Sequence, residues 1–225
     1  MGRPQPLGPP AFRLNVIEEL AFVLAATASL FATVDPIGTL PFFVALTEGF
    51  EEADKQVILR RAVATTGVTL VVFLVAGKYL FTAFGFTLYA MEISGGILLF
   101  LIAYDMLHGD VGKKIAPADR EEAIRKRDEL AIAPLGIPLL AGPGAIATVM
   151  VYVGNAKDNL YEVFGLFLAV IAVTAASFLI LHFGRGIFRY LGRVGITAII
   201  RVMGLLLGAV AVQFIINGIL GVVHP

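Results

Sequence analysis

Residues 30–46 read LFATVDPIGTLPFFVAL, an apolar run broken at its centre by Asp35-Pro36-Ile37-Gly38. Proline removes a backbone donor and glycine a side chain, so a helix entering this run stops and restarts. A second run, LAIAPLGIPLLAGPGAIATVMVYV (130–153), is interrupted by Pro138 and by Gly142-Pro143-Gly144. Each run lies in a stretch long enough to cross a bilayer, which takes roughly 20 mostly apolar residues. Backbone groups freed at such a break cannot face lipid unpaired, so they must line protein or a polar cavity. Two broken spans in one chain point to a site inside the membrane.

Outward from these two runs, the chain divides into six apolar spans. They are expected near residues 20–46, 62–84, 86–107, 130–153, 161–183 and 196–223. All are apolar nearly all round, unlike the one-sided stripe of a soluble helix. Composition agrees: 58% of the 225 residues are hydrophobic and 15% charged, with a mean hydropathy of +0.89. A soluble core of this size could not hide that much apolar surface. The absence of cysteine excludes disulfides and thiolate chemistry. Lys+Arg and Asp+Glu balance at 17 each, so no basic field points to nucleic acid. No nucleophile–base pair, phosphate loop or cofactor fingerprint is present, and three scattered histidines make no metal cluster. The expected fold is an all-α polytopic membrane protein, not an enzyme.

The chain also resembles itself. With an offset of 107 to 109, Pro36 falls on Pro143, Gly95 on Gly204, GGILLF (95–100) on GLLLGA (204–209), and Glu92 on Arg201. Three spans per half is an odd number, so two such repeats enter the membrane from opposite sides. That is the inverted-repeat architecture of secondary transporters, with helices 1 and 4 broken at the midplane. The expected divisions are a flexible Pro/Gly-rich arm (1–19), a first repeat (20–107), a cytoplasmic linker (108–129) and a second repeat (130–225). Within the linker, Glu121 and Arg125, and Glu122 and Lys126, are four apart, which predicts a short exposed helix. Lys and Arg number twelve in the segments after spans 1, 3 and 5, against Arg3, Arg13 and Lys157 on the other side. The positive-inside rule then puts the basic loops in the cytoplasm and both termini outside it; the expected location is the cell (inner) membrane.

Several polar residues need a reason at bilayer depth. Asp35 either accepts bonds from the N–H groups of the restarting half-helix, or holds a substrate ammonium, a coupling Na⁺ or a proton, or does both. Pro36, Gly38 and Thr39 follow it on the first half-helix; Gly142, Pro143, Gly144 and Ala145 open the second. Their bare N–H ends are the expected binding site for a small zwitterionic substrate. Thr47 and Thr148 are read as bonding back to their own helices or as touching substrate. Glu92 and Arg201 are expected to pair across the repeats, as a structural ion pair or a gate. Gln213 and Asn217, four apart on span 6, are expected to face the bundle interior, as helix glue or pathway lining. A homo-oligomer is compatible with all of this.

Four stretches carry a further signal: VDPIGTLPFFVALT (34–47), ISGGILLFLIAYDML (93–107), IAPLGIPLLAGPGAIATVM (132–150) and RVMGLLLGAVAVQFIINGI (201–219). With their D-P-x-G and A-G-P-G-A signatures, they resemble the MarC family of integral membrane proteins over nearly everything after residue 20. The resemblance implies a six-helix inverted fold shared with the lysine-exporter superfamily. It also implies transport of small neutral amino acids such as glycine and alanine, driven by a cation gradient, with no cofactor beyond a coupling Na⁺ or H⁺. An exporter of another metabolite, or a membrane protein that assembles or regulates without transporting, is the alternative.

Overall fold

A computed structural model of the chain describes residues 11–108, 120–156, 159–188 and 192–223. Every element among them is helical. Helix α1 (Ala11–Val34) is followed after one residue by α2 (Pro36–Leu46), and together they form the broken first span. Next come α3 (Glu52–Phe84), α4 (Leu88–His108) and α5 (Arg120–Leu130). A wide-turned proline segment (Ala131–Leu140) leads into α6 (Pro143–Asn155). The chain ends in α7 (Leu160–Phe188) and α8 (Gly192–Val223). Five spans are long and apolar enough to cross a membrane, and a sixth is formed if the bent stretch through the proline segment and α6 counts as one. Helix α1 begins at Ala11, so residues 11–19, expected in a flexible arm, are helical. Residues 1–10 lie outside the described residues.

The two broken spans are built differently. The first breaks at a single residue: Asp35 adopts the left-handed conformation, φ 42° and ψ 64°. The second is disturbed over its whole entering half. Ala133 and Ile137 are extended, as residues before proline prefer to be. Both precede prolines, Pro134 and Pro138, and the segment meets α6 at a 59° bend. The carbonyls left without helical donors find other partners. Ala141 N–H donates to the Gly136 carbonyl at 2.9 Å, and the Thr66 hydroxyl of α3 reaches the same carbonyl at 3.4 Å. Thr66 is fully buried, as a polar group spliced into an apolar interior should be when it has a bond to make.

Helix packing in the two halves follows the same pattern, which is consistent with an inverted repeat. The third helices, α4 and α8, form an antiparallel pair: Gly218 lies against Tyr89 and Ile93, Gly204 against Ala103 and Met106. The second helices, α3 and α7, are also antiparallel, with Gln56 bonded to His182 and Gly67 against Thr174. In one half α1 and α2 run along α7, Val23 meeting Gly165 and Leu40 meeting Gly184. In the other half the proline segment and α6 run along α3, Thr65 meeting Gly136 and Met150 meeting Gly77. Fully buried Leu30, Phe43, Leu70, Leu99, Leu135 and Leu166 fill the centre. Large apolar side chains such as Val75, Leu101, Phe164 and Leu205 stand exposed on the outer surface, where a bilayer would cover them.

This geometry overturns the expected Glu92–Arg201 pair. Glu92 lies near the level of Gly218, whereas Arg201 lies beyond the level of Met106, at the far end of the same antiparallel pair. At 1.5 Å per residue the two are separated by roughly 20 Å. An in-plane two-fold axis reverses helix direction. Equivalent residues away from the axis are therefore carried to opposite sides of the membrane, not brought together.

The linker helix is not merely solvated. Arg127 of α5 reaches the buried Asp54 of α3 at 3.4 Å and its own neighbour Asp128 at 3.1 Å. Arg61 of α3 also pairs with Asp128. Lys126 pairs with Glu122 at 2.9 Å as expected, while Arg125 lies 3.9 Å from Glu129, on the other side from Glu121. Desolvation of the Asp128 carboxyl pushes its pKa up, but hydrogen bonds and charge from Arg61 and Arg127 together outweigh this and hold it below the ordinary carboxylate value.

Candidate functional site

The first break is a cap before it is anything else. Pro36 sits at the first helical position of α2, where its missing N–H costs nothing. The Asp35 carbonyl accepts from Thr39 N–H at 3.0 Å, and its side-chain Oδ1 accepts from Gly38 N–H at 2.9 Å. This fold-back requires glycine at 38, because a Cβ there would collide with the Asp35 carboxylate. It leaves Oδ2 with no hydrogen bond among the described residues, and Ile37 N–H without a backbone acceptor. Asp35 is exposed; Oδ1 is committed to the cap, while Oδ2 rests against Gly38.

Asp35 lines a groove. A cavity of about 600 Å³ is lined by Thr33, Asp35, Gly38 and Thr39 from the broken span, and by Pro138 and Leu139 from the proline segment. Leu99 of α4 and Met203, Leu207, Val210 and Phe214 of α8 close its other walls. Both repeats therefore contribute. The three threonines read as candidates now separate. Thr47 and Thr148 donate to the Phe43 and Gly144 carbonyls at 2.7 and 2.9 Å, one turn back on their own helices. Thr39 is buried and lines the groove, and its hydroxyl makes no hydrogen bond among the described residues.

The Gly142-Pro143-Gly144 part of the second break does not share this groove. A smaller cavity of about 240 Å³ lies on the other side of Pro138, lined by Thr69, Ser94, Gly95, Pro143 and Ile146 among others. Pro138 is the common wall. Gly142 packs on the Pro138 carbonyl, which a Cβ would approach to 2.7 Å, and caps α6 only through its own carbonyl, to Ile146 N–H at 3.1 Å. Ala145 is fully buried, and Gly144 has open space where a side chain would project. The single expected site is thus divided: Asp35, Gly38 and Thr39 face the groove, Pro143 faces the smaller cavity, and Pro36, Gly142 and Ala145 pack behind.

One further expectation is corrected. Gln213 and Asn217 are exposed, satisfy each other at 2.7 Å, and line neither cavity. The face of α8 that does line the groove is the apolar series Met203, Leu207, Val210 and Phe214, spaced three or four apart. That spacing is visible in the sequence, but in a helix apolar all round it is one of several equivalent stripes.

Residues 20–223 match the family model described as MarC family integral membrane protein. A UPF0056 membrane protein of Methanocaldococcus jannaschii is 37% identical over 213 residues, covering 93% of each chain. The UPF0056 membrane protein YvbG of Bacillus subtilis is 35% identical, covering 89% of this chain and 95% of its own. YhcE of Escherichia coli, also a UPF0056 membrane protein, is 31% identical, covering 86% and 89%. No solved structure matches the chain at a significant level. With both broken spans and all the apolar helices inside the matched region, the chain belongs to the MarC family of integral membrane proteins.

Proposed function

We infer that the protein is a secondary transporter of small neutral amino acids of the glycine and alanine kind, driven by a cation gradient. One observation carries this reading: the break in the first span brings Asp35, with one carboxylate oxygen free of hydrogen bonds among the described residues, and an unbonded Thr39 hydroxyl to a groove walled by both halves of the chain. A zwitterion needs an acceptor for its ammonium and donors for its carboxylate. Asp35 Oδ2 supplies the first, or holds the coupling cation. The Thr39 hydroxyl and the positive end of α2 supply the second. The remaining walls are Leu, Val, Met and Phe side chains, which suit a small apolar side chain and offer no partner to a second charge.

The antiparallel α4–α8 pair, locked by close glycine contacts, serves as the frame against which the broken spans rock. Pro138, between the two cavities, is the partition that such a movement opens. In this reading the basic loops are cytoplasmic and both termini extracytoplasmic. The reading is tested by labelled glycine uptake into proteoliposomes, with Na⁺ and pH gradients imposed separately. Accumulation driven by one gradient supports it; no accumulation under either removes it.

A further inference from the structure

Between α3 and α7 runs a groove that shares no residue with the two cavities at the breaks. It holds about 480 Å³ on the outer surface of the bundle. Ala64 and Gly67 of α3 and Ala175 of α7 leave the space; Phe178 and Leu179 wall it. The one hydroxyl along it, Thr174, is already bonded back to the Val170 and Ile171 carbonyls at 2.8 and 3.0 Å. Nothing in the groove itself asks for a polar partner, so its occupant there is hydrocarbon. From residue 60 to 67 on α3 and from 171 to 179 on α7 the groove extends roughly 10–12 Å along the helices. That is most of one leaflet, about half of a hydrocarbon core of roughly 30 Å.

The groove is closed at one end by a charge. Arg60 lines it there and is exposed. Its neighbours are engaged, Lys55 with Glu52 at 3.1 Å and Arg61 with Asp128. Arg60 pairs with no acidic side chain among the described residues. An apolar slot one leaflet deep, ending on an uncompensated guanidinium at the basic end of the bundle, complements one kind of molecule. We propose that the α3–α7 groove is a binding site for an anionic phospholipid of the leaflet at the basic end, with an acyl chain between Ala64 and Ala175 and the headgroup phosphate on Arg60. Charge complementarity selects an anionic headgroup over a zwitterionic one. The hydrocarbon slot selects a lipid over a soluble anion. The site is independent of the transport reading, since neither cavity at the breaks takes part.

The test uses the full chain in detergent, titrated with phosphatidylglycerol or phosphatidylcholine and read by native mass spectrometry. The parent protein is expected to prefer phosphatidylglycerol by about fivefold or more, the contribution of one arginine near the headgroups. Arg60→Gln should bring the two lipids to equal affinity while leaving phosphatidylcholine binding unchanged. Ala175→Leu, which fills the exposed slot, should weaken both lipids severalfold, and Ala64→Leu on the opposite wall should do the same if Ala175→Leu folds poorly. The proposal is overturned if the parent shows no preference, if Arg60→Gln keeps it, or if both leucine variants bind lipid like the parent. A leucine variant that instead changes the oligomeric state would assign the groove to a second copy of the chain, and would equally overturn it.

Discussion

Substitution at Asp35 separates the two tasks of its carboxylate. Oδ1 caps α2 through Gly38 N–H, and the backbone sits in the left-handed region. Asparagine keeps an acceptor and tolerates that conformation, so Asp35→Asn should stay within about 0.5 kcal/mol of the parent in stability. Glycine relaxes the backbone while losing the acceptor, a net cost of a few tenths of a kcal/mol. Alanine loses the cap, about 1 kcal/mol, and must hold a left-handed conformation at roughly 1–2 kcal/mol more. Asp35→Ala should therefore be the least stable of the three by about 2–3 kcal/mol. Thermal unfolding in detergent reads that order, Asn and Gly above Ala. Glycine uptake into proteoliposomes should instead be lost in all three, because each lacks the charge. If alanine proves as stable as asparagine, the carboxylate is no cap. If Asp35→Asn transports like the parent, the charge holds neither substrate nor cation.

Three other outcomes follow from the geometry. Cysteines placed at Pro6 and at Glu121 of this Cys-free chain should label from opposite sides of the membrane, Glu121→Cys from the cytoplasm; labelling of Glu121→Cys from outside intact cells would reverse the topology. The folded-state pKa of Asp128 is depressed, so the stability contributed by its pairing with Arg61 and Arg127 is complete above the ordinary carboxylate pKa and is lost as pH falls through the depressed value. Acid below the ordinary carboxylate range should therefore free α5 to proteolysis in the parent, while mild acid should not; Asp128→Asn should show the same cleavage at neutral and low pH, and identical acid profiles would refute the link. Glu92→Ala and Arg201→Ala should combine additively in unfolding, within about 0.5 kcal/mol, and a larger coupling would restore the pair that the helix register excludes.

What the sequence made legible was local. Apolar run length marked the spans, Pro and Gly marked both breaks, and i,i+4 charges marked α5, because each signal sits within a few residues of its effect. What escaped depends on register or distant pairing. Glu92 and Arg201 occupy matching places in the two halves, yet the antiparallel register of α4 and α8 sets them at opposite ends of the pair. Gln213 and Asn217 share a face, but nothing local tells which face of an all-apolar helix turns inward. The Asp54–Arg127 pair joins residues 73 apart, so the charges of α5 read as a solvated surface when they also dock on α3. The division of the site by Pro138 could not be read either. A proline announces a break, but which cavities its ring separates is set by α4 and α8, far from it in the sequence on either side.

The claim that an amino acid sits in the groove at the first break is tested most directly by thiol protection. Thr33 lines the groove and is exposed. A cysteine there is the only thiol in the chain, and Tyr161→Cys, 76% exposed and far from the groove, serves as control. The rate of labelling by a small water-soluble maleimide is measured with increasing glycine, under the gradient that supports uptake. The account predicts that glycine slows labelling of Thr33→Cys in a saturable way and leaves Tyr161→Cys unchanged. Labelling of Thr33→Cys that is indifferent to glycine, in a protein that still transports it, would place the binding site elsewhere.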